Sequence, residues 1–542
     1  MPEHEATIRA SRGDRSVGLL RAVALALSFT LLLLVAVAGP SAAKPGLGPR
    51  GWAPGDLPIS LSSAAVTAAL WAAYLLGAFA VALGLWREVG GGHGGAPARQ
   101  PWLLPVGLGA LALLTSPMGS ADHTNYAAYG RIAAQGGDPY LVPPITWAGG
   151  LDPVTSAVEP PWTMTPSVYG PFGTALQTLS SLVGQDNLRQ TVWVWQLLIV
   201  AAWLMVALML RRAAVDEQAR GRVDLLWTAN PLVFGVAVLG AHIDLIATAM
   251  ALAAVLLAAR RPWIAGLVLG ATVSTKITYG IVGLAVLWSW RSLAPRRLAR
   301  KVTALAVSSL AVFVSFHLWA GPHVFEQLQK AGKGVSLATA WRPVVNLLSA
   351  VTPLDAARTV VSALSIVAVI ALAWVLSHLV GSRPTTEQNW PTEQNLPTEH
   401  NLPTEPNRPT VQKRPTVQNR PTGQLSTTAQ TQSAMTATFV LATAYALGAP
   451  YALPWYDVLT WATLPLMLGT ALDGILLARL TVMAMAYVPG RVVAMSAEVE
   501  SLTLGFRKVV GPLSAWLVWL AIVAVARRGW SQVSPPSGPR AS

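Results

Sequence analysis

The stretch Ser120-Ala-Asp-His-Thr-Asn-Tyr-Ala-Ala-Tyr-Gly-Arg131 sets a carboxylate, Asp122, just after the apolar run from Trp102 to Ser116. An acid at the point where a membrane helix should emerge must be solvated, paired or used, because an isolated charge is costly at that depth. Further polar groups stand at the outer edges of later apolar runs: His123, Arg131, His242, Asp244, Lys276, Arg342 and Asp457. A carboxylate with several cations at one level suits a reaction in which a hydroxyl loses its proton while an anionic phosphate departs. In that reading Asp122 is the general base, and Lys276 and Arg342 face the phosphate, with Arg131 and His242 in reserve. Each residue also has a plainer use. Asp122 could cap the short interfacial helix expected over Tyr126 to Ala134, and Lys276 could snorkel. His242 and Asp244 could pair between helices, since His-X-Asp supplies too few ligands for a metal site. Asp457 could open a helix, with Trp455 and Tyr456 as interface anchors. Tyr126 and Tyr129 are expected to hold their rings in the apolar boundary and their hydroxyls in water. Gly136-Gly137 should end that helix, and Asp138-Pro139 reads as a turn. No metal and no cofactor are expected.

The elements that must position these groups are membrane helices. Of 542 residues, 53% are hydrophobic and only 11% charged, against roughly 25% charged in soluble domains. Basic residues exceed acidic ones by 38 to 24, an excess read as cytoplasmic-loop topology rather than as a nucleic-acid surface. The absence of cysteine excludes disulfides and thiolate chemistry. Arg9, Arg12, Arg15 and Arg21 precede an apolar run from Val23 to Ala38. A retained first span is preferred there to a cleaved signal peptide, and it places the N-terminus in the cytoplasm. Carrying the alternation of basic loops along the chain gives about 14 spans with both termini inside. The run from Trp263 to Trp290 is basic at both ends and interrupted by Lys276, so it is expected as a hairpin of two short helices of about 13 residues each, short of the roughly 20 that cross alone. Phe172 to Val183 is amphipathic and suits a helix lying flat on the membrane. From Pro391 to Pro421 a proline followed by threonine recurs every sixth residue, a composition with no apolar face to bury. The expected organisation is a transmembrane catalytic region over 1–380 with an external loop at 118–190, a disordered cytoplasmic linker over 381–433, a C-terminal transmembrane region over 434–528 and a cytoplasmic tail over 529–542. A nucleotide-sugar enzyme would need a cytoplasmic α/β domain, and the repeat is the sizeable segment expected on that side. The donor is therefore expected to be lipid-borne.

The order of motifs carries a resemblance. Asp122-x-x-x-Tyr126-x-x-x-Gly130, Gly137-x-Pro139-Tyr140, Tyr169-Gly-Pro171, Asn230-Pro-Leu232 with His242-x-Asp244, Lys276 in its hairpin and Pro454-Trp-Tyr456 together resemble the actinobacterial polyprenol-phosphate-mannose-dependent α-1,6-mannosyltransferases and related GT-C glycosyltransferases. The resemblance implies an all-α polytopic fold of the GT-C type and an active site at the outer face of the plasma membrane. It implies mannose as the sugar, a polyprenyl-phosphate donor, and a glycan or glycolipid acceptor of the cell envelope. Asp122 maps onto the family's catalytic base. Tyr126, Arg131, His242, Asp244, Lys276, Arg342 and Tyr456 are then the expected substrate-binding residues. The sequence departs from the family in the residues that follow the acid and in the hexapeptide repeat. A transporter or flippase of lipid-linked saccharides is the competing class, and it would need the cations but no catalytic acid.

Overall fold

A computed structural model describes residues 2–89, 102–381 and 426–531. The proline-threonine repeat and the last eleven residues of the expected tail, 532–542, lie outside the described residues. Among those described, the structure is helical throughout, with no strand beyond one isolated bridge between Ser41 and Lys44. The helices begin with α1 (Pro2–Val37), α2 (Ser63–Val89), α3 (Leu103–Leu113), α4 (Asp122–Ala134), α5 (Pro171–Gly184), α6 (Leu188–Ala213), α7 (Glu217–Val223), α8 (Pro231–Val233) and α9 (Asp244–Ala258). They continue with α10 (Pro262–Thr275), α11 (Ile281–Ser289), α12 (Pro295–Ala320), α13 (His323–Ala331), α14 (Trp341–Leu348), α15 (Leu354–Gly381), α16 (Thr427–Gly448), α17 (Val458–Thr463), α18 (Ala471–Tyr487) and α19 (Ala497–Ser531). α16 starts inside the segment expected as linker, its first turn capped by the Ser426 side chain. The polar run Thr427 to Ser433 has no apolar periodicity to announce a helix, and the cap supplies what the pattern lacks.

Seven helices among the described residues are long and apolar enough to cross a membrane. Other segments that the basic-loop alternation makes into spans fold as shorter helices: α3, α9, α10 and the stretch Ile277–Ser289 are apolar but have only 10–17 residues. The 11 residues of α3 rise about 16 Å, roughly half a hydrocarbon core. The chain is thus a polytopic all-α membrane protein, with seven helices long enough to cross among the described residues against about 14 spans expected. Lys276 does break the long apolar run. Its backbone is extended between α10 and the turn leading into α11, and the two arms splay from it, Leu269 of one reaching Gly283 of the other.

The segment Glu217–Leu239 is the most enclosed of the spans, 94% buried over its apolar window, and it is not a regular α-helix. Asp224–Thr228 and Phe234–Leu239 are π-helical turns, a geometry that widens the helix and recurs at functional sites. Asn230 separates them, its amide accepting from Leu232 N at 3.0 Å and donating to the Leu226 carbonyl at 3.1 Å, while Pro231 starts the next turn.

A layer of loops covers one end of the bundle. Gly119 N donates to Ala43 O at 2.8 Å, Arg491 N to Ala42 O at 3.1 Å and Met118 N to Leu239 O at 2.8 Å. Gly490, at φ +116°, passes so close to Gly119 that a Cβ would lie 2.3 Å from its carbonyl carbon. Beside this crossing Asp56 binds Lys44 at 2.7 Å and Arg189 at 2.9 Å, and Ser116 Oγ donates to the same carboxylate at 2.7 Å. α4 runs beneath this layer, buried from His123 to Ile132. That corrects the expectation of an interfacial helix with wet tyrosines. Tyr126 and Tyr129 are 1% and 2% exposed, and Tyr129 Oη donates to the Thr165 carbonyl at 2.9 Å. α4 ends in a glycine cap, Gly136 at φ +79° and Gly137 N bonded to Ile132 O at 2.9 Å. α5 turns its small and polar side inward, burying Gly173, Thr174, Gln177, Ser180 and Ser181, and leaves Leu179, Leu182 and Val183 exposed. A helix with its apolar face outward is built for contact with lipid.

Candidate active site

Asp122 is the first residue of α4, and its side chain caps nothing: the cap position is Ala121, and the backbone N–H of Asp122 is taken by Ser120 Oγ at 3.2 Å. The helix-cap alternative is therefore not what the carboxylate does. Its nearest charged or titratable contact is His242, with Nδ1 3.4 Å from Asp122 Oδ2. His242 is 1% exposed and stacks on Trp455, ring centroids 3.6 Å apart and planes 12° from parallel. The loop that carries His242 leaves the second π-helical turn through Ala241, at φ +51°, whose carbonyl accepts from Trp195 Nε1 at 2.8 Å.

Two residues on, Asp244 opens α9 and receives Lys276 Nζ at 2.5 Å. The same ammonium lies 3.5 Å above the ring of Tyr456. Tyr279 supports Asp244 from behind, its hydroxyl donating to the Asp244 carbonyl at 3.0 Å. Asp244, Lys276, Thr278, Tyr279, Tyr445 and Tyr456 line one small cleft. His242 and Trp455, with Tyr74, Met118, Gly119 and Tyr487, line a second. Asp122 lies within electrostatic reach of Lys276 and of Tyr126. The cluster thus holds two carboxylates, one ammonium, one imidazole and a wall of aromatic rings.

The glycines in α4 and just before α5 have a steric cause. A Cβ on Gly130 would lie 2.2 Å from the Gln177 carbonyl oxygen, so α4 and α5 cross at contact distance. A Cβ on Gly170 would lie 2.2 Å from Ser274 O, and Gly170 N donates to Thr275 O at 3.0 Å. The Tyr169-Gly-Pro171 segment therefore pins the chain next to Lys276, while the Tyr169 ring meets Tyr126 edge-on at 5.0 Å and Pro171 starts α5.

Of the expected site residues, the fold brings Asp122, Tyr126, His242, Asp244, Lys276 and Tyr456 together. Arg131 is not among them. It lies at the far end of α4, held by Asp152 at 2.8 Å and by Asp186. Arg342 sits half-buried at the start of α14. Its segment docks on the chain leading to Trp455, through Ser336 N to Pro450 O at 3.0 Å and Trp341 Nε1 to Gly448 O at 2.7 Å. Asp457 is committed elsewhere, bound twice by the buried Arg479 at 3.0 and 3.1 Å. Asp138 takes the N–H of Tyr140 at 2.8 Å and His323 at 2.7 Å, which fixes the turn. His123, next to Asp122, is 1% exposed, and neither ring nitrogen has a hydrogen-bond partner among the described residues. Burial, with help from the neighbouring His242, pushes its pKa down to about 3, so it is a neutral ring. Trp455, Tyr279 and Tyr445 join the cluster without having been singled out. The Pro454-Trp-Tyr456 motif carried the signal for Trp455, whereas Tyr279 and Tyr445 read as ordinary helix residues. Among the described residues no group of three or more metal-ligating side chains is assembled.

Asp122 is a shielded carboxylate whose oxygens accept no hydrogen bond among the described residues. Asp56, Glu88, Asp138, Asp152, Glu159, Asp224, Asp244, Asp457 and Asp473 are each bound by a cation, a histidine or a backbone N–H.

Comparisons with known proteins point to one family. The family profile described as alpha-(1->6)-mannopyranosyltransferase, N-terminal domain, matches residues 18–292, a stretch that contains Asp122, His242, Asp244 and Lys276. An alpha-(1->6)-mannopyranosyltransferase A of Mycobacterium tuberculosis is 28% identical over 270 residues, covering 48% of this chain and 49% of that protein. A probable alpha-(1->6)-mannopyranosyltransferase of Mycolicibacterium smegmatis is 30% identical over 251 residues, covering 39% of this chain and 43% of its own length. The chain thus matches about half the length of these relatives or less. No solved structure matches it.

Proposed function

We propose, for a chain that belongs to the alpha-(1->6)-mannopyranosyltransferase family, that it transfers a mannosyl residue from a polyprenyl-phosphate donor to a hydroxyl of a cell-envelope glycan or glycolipid. The reaction takes place at the outer face of the plasma membrane, within a GT-C-type bundle whose termini are cytoplasmic. The observation that carries the reading is Asp122, a shielded carboxylate beside a cluster of cation and aromatic rings that no donor has claimed. A base must have a free lone pair for the incoming proton. In a direct displacement the acceptor O–H bond breaks toward Asp122 as the oxygen bonds to the anomeric carbon, and polyprenyl phosphate leaves with the electron pair of the C–O bond. Lys276 keeps donors beyond the one given to Asp244, because an ammonium has three, and these face the phosphate oxygens as their charge grows. Arg342, in the segment docked beside Trp455, is the second cation for that phosphate. Tyr126 and Tyr456 supply faces and edges for the sugar and the first isoprene unit.

General bases contribute about 10²–10⁴-fold. Asp122→Asn in the purified chain, assayed with polyprenyl-phosphate mannose and an oligomannoside, should lose turnover by that factor with donor binding intact. Transfer near the wild-type rate would remove Asp122 from the role, and wild-type protein that binds donor without lengthening any glycan would remove the transferase reading.

A further inference from the structure

The geometry around Asp122 points to a second residue in proton handling: we propose that His242 positions Asp122 and takes from it the proton that the acceptor hydroxyl gives up. The inference rests on the reading of Asp122 as the base. Three observations carry it. His242 Nδ1 is 3.4 Å from Asp122 Oδ2, and this nitrogen is buried with no hydrogen-bond partner among the described residues. A modest turn of the carboxylate brings the pair to hydrogen-bond length, about 2.8 Å. The stack on Trp455, at 3.6 Å and 12°, holds the ring in its plane, so Nδ1 cannot tip away from Asp122. His242 also lines the second cleft, with Tyr74 and Tyr487.

The proton balance is simple. The acceptor proton passes to Asp122 during displacement. The protonated carboxyl then gives it to the Nδ1 lone pair, which restores the carboxylate and leaves an imidazolium. Nε2 releases a proton toward the second cleft, which leaves the Nδ1–H tautomer; exchange with water then moves the remaining proton from Nδ1 to Nε2 and frees the Nδ1 lone pair for another turnover. No redox partner or further reactant is needed. The groups that bear on His242 are Asp122 and His123 from α4, Tyr74 from α2, Tyr487 from α18 and the aromatic Trp455. Asp244, two residues away, is occupied by Lys276. His123 adds no charge to the pair because its ring is neutral. Asp122 alone among these groups places an oxygen at Nδ1.

The test is steady-state kinetics of the purified full chain, with polyprenyl-phosphate mannose and an oligomannoside, between about pH 5 and pH 9. Wild-type kcat should rise with pH through a single inflection. His242→Asn, whose amide reaches the Nδ1 position but cannot titrate, should lower kcat about 10–100-fold with both KM values unchanged, and the inflection should vanish. A purely structural histidine would not move the pH profile while sparing KM. An unchanged kcat and profile in the variant overturns the proposal, as does an acceptor KM that rises at constant kcat. If His242→Asn does not fold, the wild-type profile still decides, since a kcat that is flat across the whole range overturns it. Asp122→Asn separates the two readings. An active Asp122→Asn fells the base and the relay together, whereas an inactive Asp122→Asn with a normal His242→Asn fells the relay alone.

Discussion

Lys276 offers the sharpest test of how the site divides structural from chemical work. Its ammonium binds Asp244, a residue 2% exposed, at 2.5 Å. Removing one partner of a buried pair typically costs about 3–5 kcal/mol because the other charge is left unpaired. Lys276→Met alone should therefore weaken folding by that order, and loss of activity in it would say nothing about the donor. Lys276→Met with Asp244→Asn removes both charges and leaves the Tyr279 hydroxyl bond to the Asp244 backbone in place. Replacing both partners of such a pair is often close to neutral for stability. The double variant should thus recover most of the thermal midpoint in detergent. It should not recover donor affinity. A hydrogen bond to a charged group is worth about 1.5–3 kcal/mol, so donor KM should rise roughly 10–150-fold, and kcat should fall as well because phosphate charge grows in the transition state. A double variant that is both stable and wild-type in donor KM would refute the reasoning, leaving Lys276 as a structural partner of Asp244 and nothing more.

Two further outcomes follow from backbone contact and from burial. Gly170→Ala would put a methyl 2.2 Å from the Ser274 carbonyl oxygen, where only backbone can give way; transfer activity should drop and the start of α5 should become more open to hydrogen exchange, while Gly221→Ala, with open space around its Cβ, should change neither. His123 titrates near 3 in the folded chain and near about 6.5 unfolded, so the unfolded chain binds more protons between those values and stability falls as pH drops through that window, being fully present above it. Thermal midpoints measured from pH 7 to pH 4 should fall less steeply in His123→Phe than in the wild type.

The sequence made the helical class and the membrane setting plain, because low charge and long apolar runs leave few other outcomes. It also located the break at Lys276, since a lysine flanked on both sides by apolar residues and basic ends fits no single span. What it mislaid were facts that depend on depth of packing. Tyr126 and Tyr129 match an interfacial pattern, yet they are buried against Tyr169, with Trp195 packed on Tyr126 and the Thr165 carbonyl taking the Tyr129 hydroxyl. Arg131 sits nine residues after Asp122 in the same helix, so about 13 Å separates them along the axis, and sequence proximity overstated its part in the site. The π-helical turns before His242 left no trace in the hydrophobic pattern, because a widened turn changes register without changing composition.

The ion pairs around the site explain why one acid is left over. In a chain this apolar each shielded charge needs a partner or a use. Arg479 holds Asp457, Arg491 holds Glu159, Arg189 and Lys44 share Asp56, and Arg131 holds Asp152. Two of these pairs tie together segments far apart in sequence, Arg189 with Asp56 across 133 residues and Arg491 with Glu159 across 332. Each of these cations thus has a carboxylate partner. A base clamped by arginine would be a poor proton acceptor, since the opposite charge favours its ionised form. Holding the loop layer with closed pairs and leaving the Asp122 oxygens without a hydrogen-bond donor gives rigidity and a free lone pair together, which a single shared network of charges could not.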